Sequence, residues 1–441
     1  MNVSGLLASF ELLEPYRALR EDLQRGEMPT PLGLLRAARP ALLSALAHDL
    51  QCPMLVIAGS VERAHALTHS LRDWSSAPEC ILHFPESLAL FYERVPWTDE
   101  VVAGRLHVLS ALFPSSTRAS STYPSLVVAS ARALMQRTLP SRQFRISIRE
   151  FRVGQMLDLE QTISRWAGLG YEPVSVVEAP GQFSHRGGIL DVFPPADSLP
   201  VRIELFGNQI ESLRRFDPAT QRSQERVESI TITPAREALP RHGPRTASHV
   251  AAQLARDLPA GVRAELEAHH RDLAAATPFP GLEFYLPYFY TGSATLLDYL
   301  PPEALIVVDD PQELADAWAG LEEEAVDLRV AAEEAGTLPP DYPLPYITWD
   351  EWSEPLTDRP VLTLGHGEEG TTSRLTACFV PGPHFGGQLK PVLEHIRTAL
   401  SSPGGGAGQV VVVSRQARRL AELWSQEHDY VLPLEELRHP P

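Results

Sequence analysis

The sequence predicts an α/β protein with a parallel-sheet α/β segment, an inserted α+β segment with a mainly antiparallel sheet, and a second small α/β segment. Three observations support this fold class. Up to Pro140, short apolar runs alternate with helical patterns, which favours parallel strands with helices on both faces. After Pro140 the apolar runs are shorter, closely spaced and separated by turn residues. A Pro-rich, acidic connector at 336–345 then precedes the last hundred residues.

The first segment contains short apolar runs that are typical of buried strands. One helix is predicted from Val61, because Ala64, Leu67, Leu71 and Trp74 recur at helical spacing. Strands are predicted at 54–58, 80–84 and 126–129, and a second helix at 105–113.

The inserted segment has a period of two and only one helical pattern, at 159–169. Gly187-Gly188 and Gly207-Asn208 are typical turn pairs, and the second predicts a tight hairpin. Strands are predicted at 145–148, 174–177, 189–193, 201–205 and 210–215.

Helical spacing returns after the insert, and the last segment alternates strands and helices again. Helices are predicted at 248–257, 262–274 and 388–400 and from residue 414, and strands at 304–308, 361–364 and 410–413.

Charge and composition exclude several classes of protein. With 38 basic and 56 acidic residues the net charge is −18, which predicts weak or absent nucleic-acid binding by this chain alone. Residues 301–340 hold eleven of the acids and one base, a pattern typical of a solvated helix face. Three distant cysteines predict neither a disulfide framework nor a metal site, and no apolar run is long enough to span a membrane. We therefore expect a soluble cytoplasmic protein.

Two motifs resemble nucleotide sites but lack the necessary context. Gly365, Gly367 and Gly370 spell a dinucleotide fingerprint, yet the following residues predict a turn leading into a strand rather than a helix. The run 304–310 resembles a Walker B strand that ends in Asp309 and Asp310.

A Walker B strand serves an ATPase only together with a phosphate-loop lysine. Lys390 is the only lysine, and its context, GGQLKP, cannot form that loop. We expect Asp309 and Asp310 to be the exposed end of a core strand, with no catalytic residue and no cofactor. No HExxH or GxSxG motif suggests another active site.

The stretch 179–216 leaves two interpretations open. In one, arginines, acids and aromatic residues on a sheet form a protein interface, since Arg and aromatic side chains are frequent anchors there. Its candidate residues are Phe183, Arg186, Arg202, Glu204 and Phe206. In the other, the charges are simply solvated and one face is core, formed by Ile189, Leu190, Val192, Ile203 and Leu205.

The same stretch resembles the bacterial transcription-repair coupling factors (Mfd) and, more distantly, the excision-repair protein UvrB. The resemblance is carried by PGQFSHRGGILDVFPP, VRIELFGNQIESLRRFDPATQRS and ITPARE. It extends to FPESLALFYERVPWTDEVVAGRLHVLSAL, to PGLEFYLPYFYTGSATLLDYLPPEALIVVDD and to FGGQLKPVLEHI, and so covers nearly the whole chain.

The resemblance implies a domain organisation. Residues 1–141 and 236–335 would form one split, UvrB-like parallel-sheet domain, with 142–235 inserted as a UvrA-binding domain. A linker at 336–341 would lead to a third α/β domain at 342–441. In the family, domains that bind RNA polymerase and an ATP-driven DNA translocase lie further along, so we expect this chain to be the N-terminal part of a longer protein.

The resemblance also implies a function: a non-catalytic adaptor that recruits UvrA through Phe183, Arg186, Arg202 and Glu204, with Phe206 beside them. One alternative is an active ATPase or DNA-unwinding enzyme like UvrB, which the missing phosphate-loop lysine disfavours. Another is a module that has lost UvrA binding and keeps only an autoinhibitory surface for the rest of its own chain.

Overall fold

The computed structural model describes residues 2–113, 126–290, 292, 294–365, 374–383, 385–401, 410–414, 416–426, 431 and 433–439. The chain divides into two compact units. The first comprises residues 1–51, 69–81 and 364–441, and the second comprises residues 52–68 and 82–363.

Thirteen strands are formed by the described residues. They are β1 Met54–Ala58, β2 Ile81–Phe84, β3 Leu126–Ser130, β4 Arg149–Arg152, β5 Glu172–Pro173, β6 Gln182–Arg186, β7 Ile189–Val192, β8 Val201–Phe206, β9 Gln209–Phe216, β10 Ser223–Val227, β11 Ser229–Ile232, β12 Leu305–Val308 and β13 Val361–Thr363.

The α-helices of the same residues are α1 Glu14–Gln24, α2 Arg39–Leu50, α3 Val61–Trp74, α4 Asp99–Leu112, α5 Ala131–Met135, α6 Ser141–Ser147, α7 Leu159–Gly168, α8 Gly243–Leu254, α9 Ala260–Ala274, α10 Leu286–Phe289, α11 Pro311–Glu334, α12 Trp349–Ser353, α13 Leu389–Ser401 and α14 Ala417–Ser425. Short 3₁₀ turns lie between several of them.

Five strands form a sheet in the order β13-β12-β1-β3-β2, in which β13, β12, β1 and β3 run parallel. The registers of β1 with β12 and with β3 are parallel, and every residue of these three strands is buried. Burial on both faces explains their continuous apolar sequences, such as MLVIA and LIVV. Because β12 pairs directly with β1 although the insert separates them in sequence, the predicted α/β fold with an inserted segment is confirmed.

The insert forms a six-stranded sheet in the order β10-β9-β8-β7-β6-β5, antiparallel except for β5 with β6. Two tight turns close its hairpins at one end. Gly187 and Gly207 have φ of +60° and +62°, which glycine adopts without strain. A Cβ on Gly188 would lie 3.0 Å from the carbonyl oxygen of Leu205, so this turn also needs close backbone approach.

One buried carboxylate links the residues just before the insert to the residue just after it. Glu237, just after the insert, accepts hydrogen bonds from the Thr138 hydroxyl and, at 3.2 Å, from the Leu139 amide, just before it. It also pairs with the guanidinium of Arg105 on α4. Arg105 and Glu237 are both almost completely buried. This network fixes the base of the inserted sheet.

In the first unit, helices α1 and α2 are joined by a hydrogen bond from the Tyr16 hydroxyl to Asp49, 2.6 Å long. Burial and this carboxylate raise the pKa of Tyr16. Helices α13 and α14 line an apolar groove together with residues 410–413.

Two strand predictions for the insert are wrong. Residues 145–147 belong to helix α6, which begins directly after Pro140 and buries Phe144, and the strand β4 starts only at Arg149. None of the predicted strand 174–177 is formed, because the chain bends at residues 175 and 176 and packs Val177 against Phe193 and Phe216. Residues 174–177 bend over the sheet instead.

The last segment also differs from the prediction. Residues 410–413 are exposed and form no regular secondary structure, so the predicted strand is absent there. The strand expected after the glycine motif is replaced by the 3₁₀ turn Thr376–Cys378, while Gly367 and Gly370 lie outside the described residues. The predicted domain boundaries remain a prediction, although β13 continues the parallel sheet beyond the proposed linker.

No helix in the described part of the chain is long and apolar enough to cross a membrane.

Candidate protein-interaction site

The two faces of the inserted sheet have different environments. One face packs against helix α7, where Trp166 contacts the ring of Phe183, and it buries Leu190 and Ile203. The opposite face, called the outer face below, is covered by the described residues only at one end. There a small cluster of Val177, Phe193 and Phe216 forms under residues 174–177. The other end of the outer face, beside the two glycine turns, is open.

A row of side chains crosses the open end of the outer face. Arg186 on β6 lies opposite Ile189 on β7, Ile189 opposite Glu204 on β8, and Glu204 opposite Ser212 on β9. Arg186 is exposed, and Ile189 is 39% exposed. Across the three neighbouring strands, the row therefore consists of a cation, an apolar side chain and an anion.

The next row is more buried and contains a fixed ion pair. Arg202 donates from Nε and Nη2 to the two carboxylate oxygens of Asp191, at 2.8 Å each. Its guanidinium also lies 4.8 Å from the ring centre of Phe216. Hydrogen bonding to Asp191 raises the pKa of Arg202 above its ordinary value. Arg202 is thus held in one geometry within the sheet.

Glu204 and Phe206 complete the open end of the outer face. The Ser212 hydroxyl donates to Glu204, and Nε of Arg214 lies 3.7 Å from the same carboxylate. Phe206, at the β8–β9 turn, is 78% exposed, although large apolar side chains are usually buried. An exposed aromatic ring beside charged groups is typical of a protein interface.

Four of the five predicted contact residues lie on the outer face or at the turn that borders it. Phe183 does not: it is 3% exposed and packs in the core against Trp166, so its ring is not accessible to a partner. The prediction that Ile189 belongs to the core is also wrong. Ile189 alternates with Leu190, and only one of two consecutive strand residues can face the core.

Asp191 was missed by the sequence reasoning, although a signal for it exists. In the strand ILDV, Asp191 falls two residues after Ile189 and so shares its face. An acid on that face of β7 can pair with a base on the facing strand, and Arg202 occupies the opposed position.

The Walker B-like carboxylates have structural roles in this fold. Asp309 is 1% exposed, so its predicted exposure is wrong, and it accepts two hydrogen bonds from Arg63, at 2.6 and 2.9 Å. Arg63 lies in the first turn of α3, directly after β1. Asp310 accepts a hydrogen bond from the Glu313 amide and so caps helix α11.

The loop between β1 and α3 is in close contact with helix α11. A Cβ added to Gly59 would lie 2.8 Å from the backbone oxygen of Glu313, so the first turn of α11 packs directly on this loop. An arginine–carboxylate pair and a helix turn therefore occupy the region beside the ends of β1 and β12. Within the described ranges, no group of three or more His, Cys, Asp or Glu side chains could hold a metal ion.

Residues 150–237, which include the whole outer face, match the family model of the UvrB interaction domain. The chain resembles the N-terminal region of the transcription-repair-coupling factors. It is 35% identical over 312 residues to the transcription-repair-coupling factor of Myxococcus xanthus, a match covering 67% of this chain and 25% of that protein.

Other transcription-repair-coupling factors match to a similar extent. Identity is 30% over 316 residues with the Bacillus subtilis protein, covering 69% of this chain and 26% of the relative. It is 31% over 326 residues with the Mycobacterium tuberculosis protein, covering 72% and 26%. The chain thus spans about a quarter of the length of the curated relatives it matches.

Proposed function

We propose that this chain is a non-catalytic adaptor module of transcription-coupled nucleotide excision repair, and that it binds UvrA through the outer face of the inserted sheet. The observation that carries the proposal is the row Arg186–Ile189–Glu204, with Arg186 and Ile189 exposed and Phe206 beside it, within the segment that matches the UvrB interaction domain. In a longer protein, RNA polymerase and DNA would bind to other domains.

The chemistry of the outer face defines the partner surface that fits it. Ile189 and Phe206 supply apolar area that loses contact with water on binding, and charged groups border it. Arg186 suits a carboxylate because its planar guanidinium can donate two parallel hydrogen bonds. The complementary surface on UvrA would therefore be apolar at its centre, with an acid facing Arg186 and a base facing Glu204.

Titration of the purified chain with purified UvrA tests this function. A saturable, one-to-one complex is expected from calorimetry or from a labelled-protein titration. A variant with Ile189→Asp and Phe206→Asp should bind much more weakly, because both changes place unpaired charge in the apolar centre. Failure of the unmutated chain to bind would overturn the adaptor function itself.

The alternative of an active ATPase leads to an opposite expectation, and we predict that the chain neither binds nor hydrolyses ATP. Phosphate loops bind through backbone amides and a lysine, and here Arg63 and Asp309 pair with each other instead. Calorimetry with Mg·ATP should show no binding at micromolar concentrations. A turnover rate that disappears in Asp309→Asn would support the enzyme and contradict this prediction.

We also predict weak or absent binding to duplex DNA by this chain. The net charge of −18 repels phosphate at long range, and helix α11 exposes Glu323, Glu324 and Asp327. Fluorescence anisotropy with a labelled duplex at physiological salt should show no saturation at micromolar protein. The matched variant neutralised at those three positions tests whether the acidic helix is responsible. Tight binding by the unmutated chain would show that its arginines outweigh the net charge.

A further inference from the structure

The carboxylate of Asp191 lies on the outer face, on strand β7 between β6 and β8. It is 7% exposed and belongs to the row next to the exposed one. The strand register places Ser184 opposite it on one side and Arg202 on the other, with Arg214 beyond Arg202. A buried acid in such a position requires a partner, because an unpaired buried charge is costly.

Arg202 supplies that partner in a fully determined geometry. Both carboxylate oxygens accept a hydrogen bond at 2.8 Å, one from Nε and one from Nη2. The ring of Phe216 supports the guanidinium plane, with 4.8 Å between the guanidinium carbon and the ring centre. An arginine side chain ordinarily loses much rotational freedom when it binds a partner, and here that freedom is already lost.

The pair with Asp191 uses one edge of the guanidinium and leaves another edge for recognition. Nη1 takes no part in the bidentate pair, and the Arg202 side chain is 21% exposed. Asp191 also offsets a repulsion, since Arg202 lies directly opposite Arg214 on the neighbouring strand. Without the carboxylate, Arg202 would be expected to turn away from Arg214 and leave the sheet surface.

We propose that Asp191 is a positioning residue of the UvrA-binding site, which holds Arg202 ready for a carboxylate of the partner. This inference rests on the proposed function, because it concerns the same surface. In this proposal Asp191 itself does not contact UvrA. The partner group that Arg202 would recognise is an acid, reached through the Nη1 edge of the guanidinium.

A double-mutant cycle in the 441-residue chain tests the inference, with UvrA affinity as the measurement. Asp191→Asn keeps the shape of the side chain but has one acceptor oxygen and no charge, so it cannot hold both donors of Arg202. We expect this variant to bind UvrA about two- to tenfold more weakly, which is the cost of ordering one long side chain on binding. In an Arg202→Ala background the same change should have no further effect.

Controls separate positioning from a general loss of structure. Another arginine–carboxylate pair of the same sheet joins Glu225 on β10 to Arg215 on β9. The variant Glu225→Gln removes the negative charge of that pair. It should leave UvrA affinity unchanged. If Asp191→Asn fails to fold, Arg202→Lys decides, because it keeps the charge but cannot form the bidentate pair. It should weaken binding to a similar extent.

Each outcome has a definite meaning. Unchanged or tighter binding by Asp191→Asn, or losses that add to that of Arg202→Ala, would overturn the positioning role. If the unmutated chain does not bind UvrA, the proposed function fails and the NMR signal of the Arg202 Nε–H group decides this inference. Protection of that signal from solvent exchange should be lost in Asp191→Asn, and its persistence would contradict the role of Asp191.

Discussion

Replacement of Arg186 by alanine is expected to weaken UvrA binding by about thirtyfold, or about 2 kcal/mol, the loss typical of an interface hot spot. Arg186 is exposed at the end of β6, and its Nη2 group donates to the carbonyl oxygen of Ser175 in the loop over the sheet. This contact directs the guanidinium along the outer face beside Ile189. The double variant with Arg202→Ala should lose almost all binding, because the two cations that we propose to contact UvrA are then absent.

Matched variants make the Arg186 prediction specific. Arg152→Ala removes an exposed arginine from the separate two-stranded sheet of β4 and β11, and should change UvrA affinity little. Neutralising Glu323 and Glu324 on helix α11 should also have little effect. Glu322 is not suitable for this control, since it accepts a hydrogen bond from the Trp349 amide. Full-strength binding by the Arg186→Ala, Arg202→Ala chain would remove the site assignment.

Removal of the Arg105 side chain is expected to produce the largest loss of stability. Arg105→Leu leaves the carboxylate of Glu237 buried without its cation, and breaking such a pair costs about 3–5 kcal/mol. The guanidinium also lies 4.2 Å from the ring centre of Phe84 and 4.9 Å from that of Trp97, so these stacking contacts are lost too. Chemical denaturation, followed by circular dichroism, measures the free energy of unfolding.

A comparison with an exposed pair shows whether burial is the cause. Arg256 pairs with Asp341 at 3.1 Å on the surface, and both side chains are largely accessible. Arg256→Leu should therefore cost less than about 1 kcal/mol. Equal effects of Arg105→Leu and Arg256→Leu would mean that the Glu237 network does not stabilise the base of the insert.

Local sequence pattern was sufficient for the hairpins that carry the candidate site. Strands β7, β8 and β9 were predicted to within one residue at each end, because period-two alternation and glycine turns act between neighbours in the chain. The resemblance of the same stretch to a known family also pointed to four residues that the fold brings to the outer face or its border. The sequence pattern gave a wrong prediction at 145–148, where both strand and helix periodicity are possible. There the burial of Phe144 favours a helix.

The sequence by itself determined the fold class, the inserted sheet and the absence of a phosphate-loop lysine, since these depend on composition and near neighbours. Only the tertiary structure decided which face of the sheet is covered, and therefore that Phe183 is core while Ile189 is exposed. It also decided the pairing of Arg63 with Asp309, 246 positions apart, and of Arg105 with Glu237, 132 positions apart. Which residues become such partners depends on how elements distant in sequence pack together. Local hydrophobic periodicity contains no information on that packing.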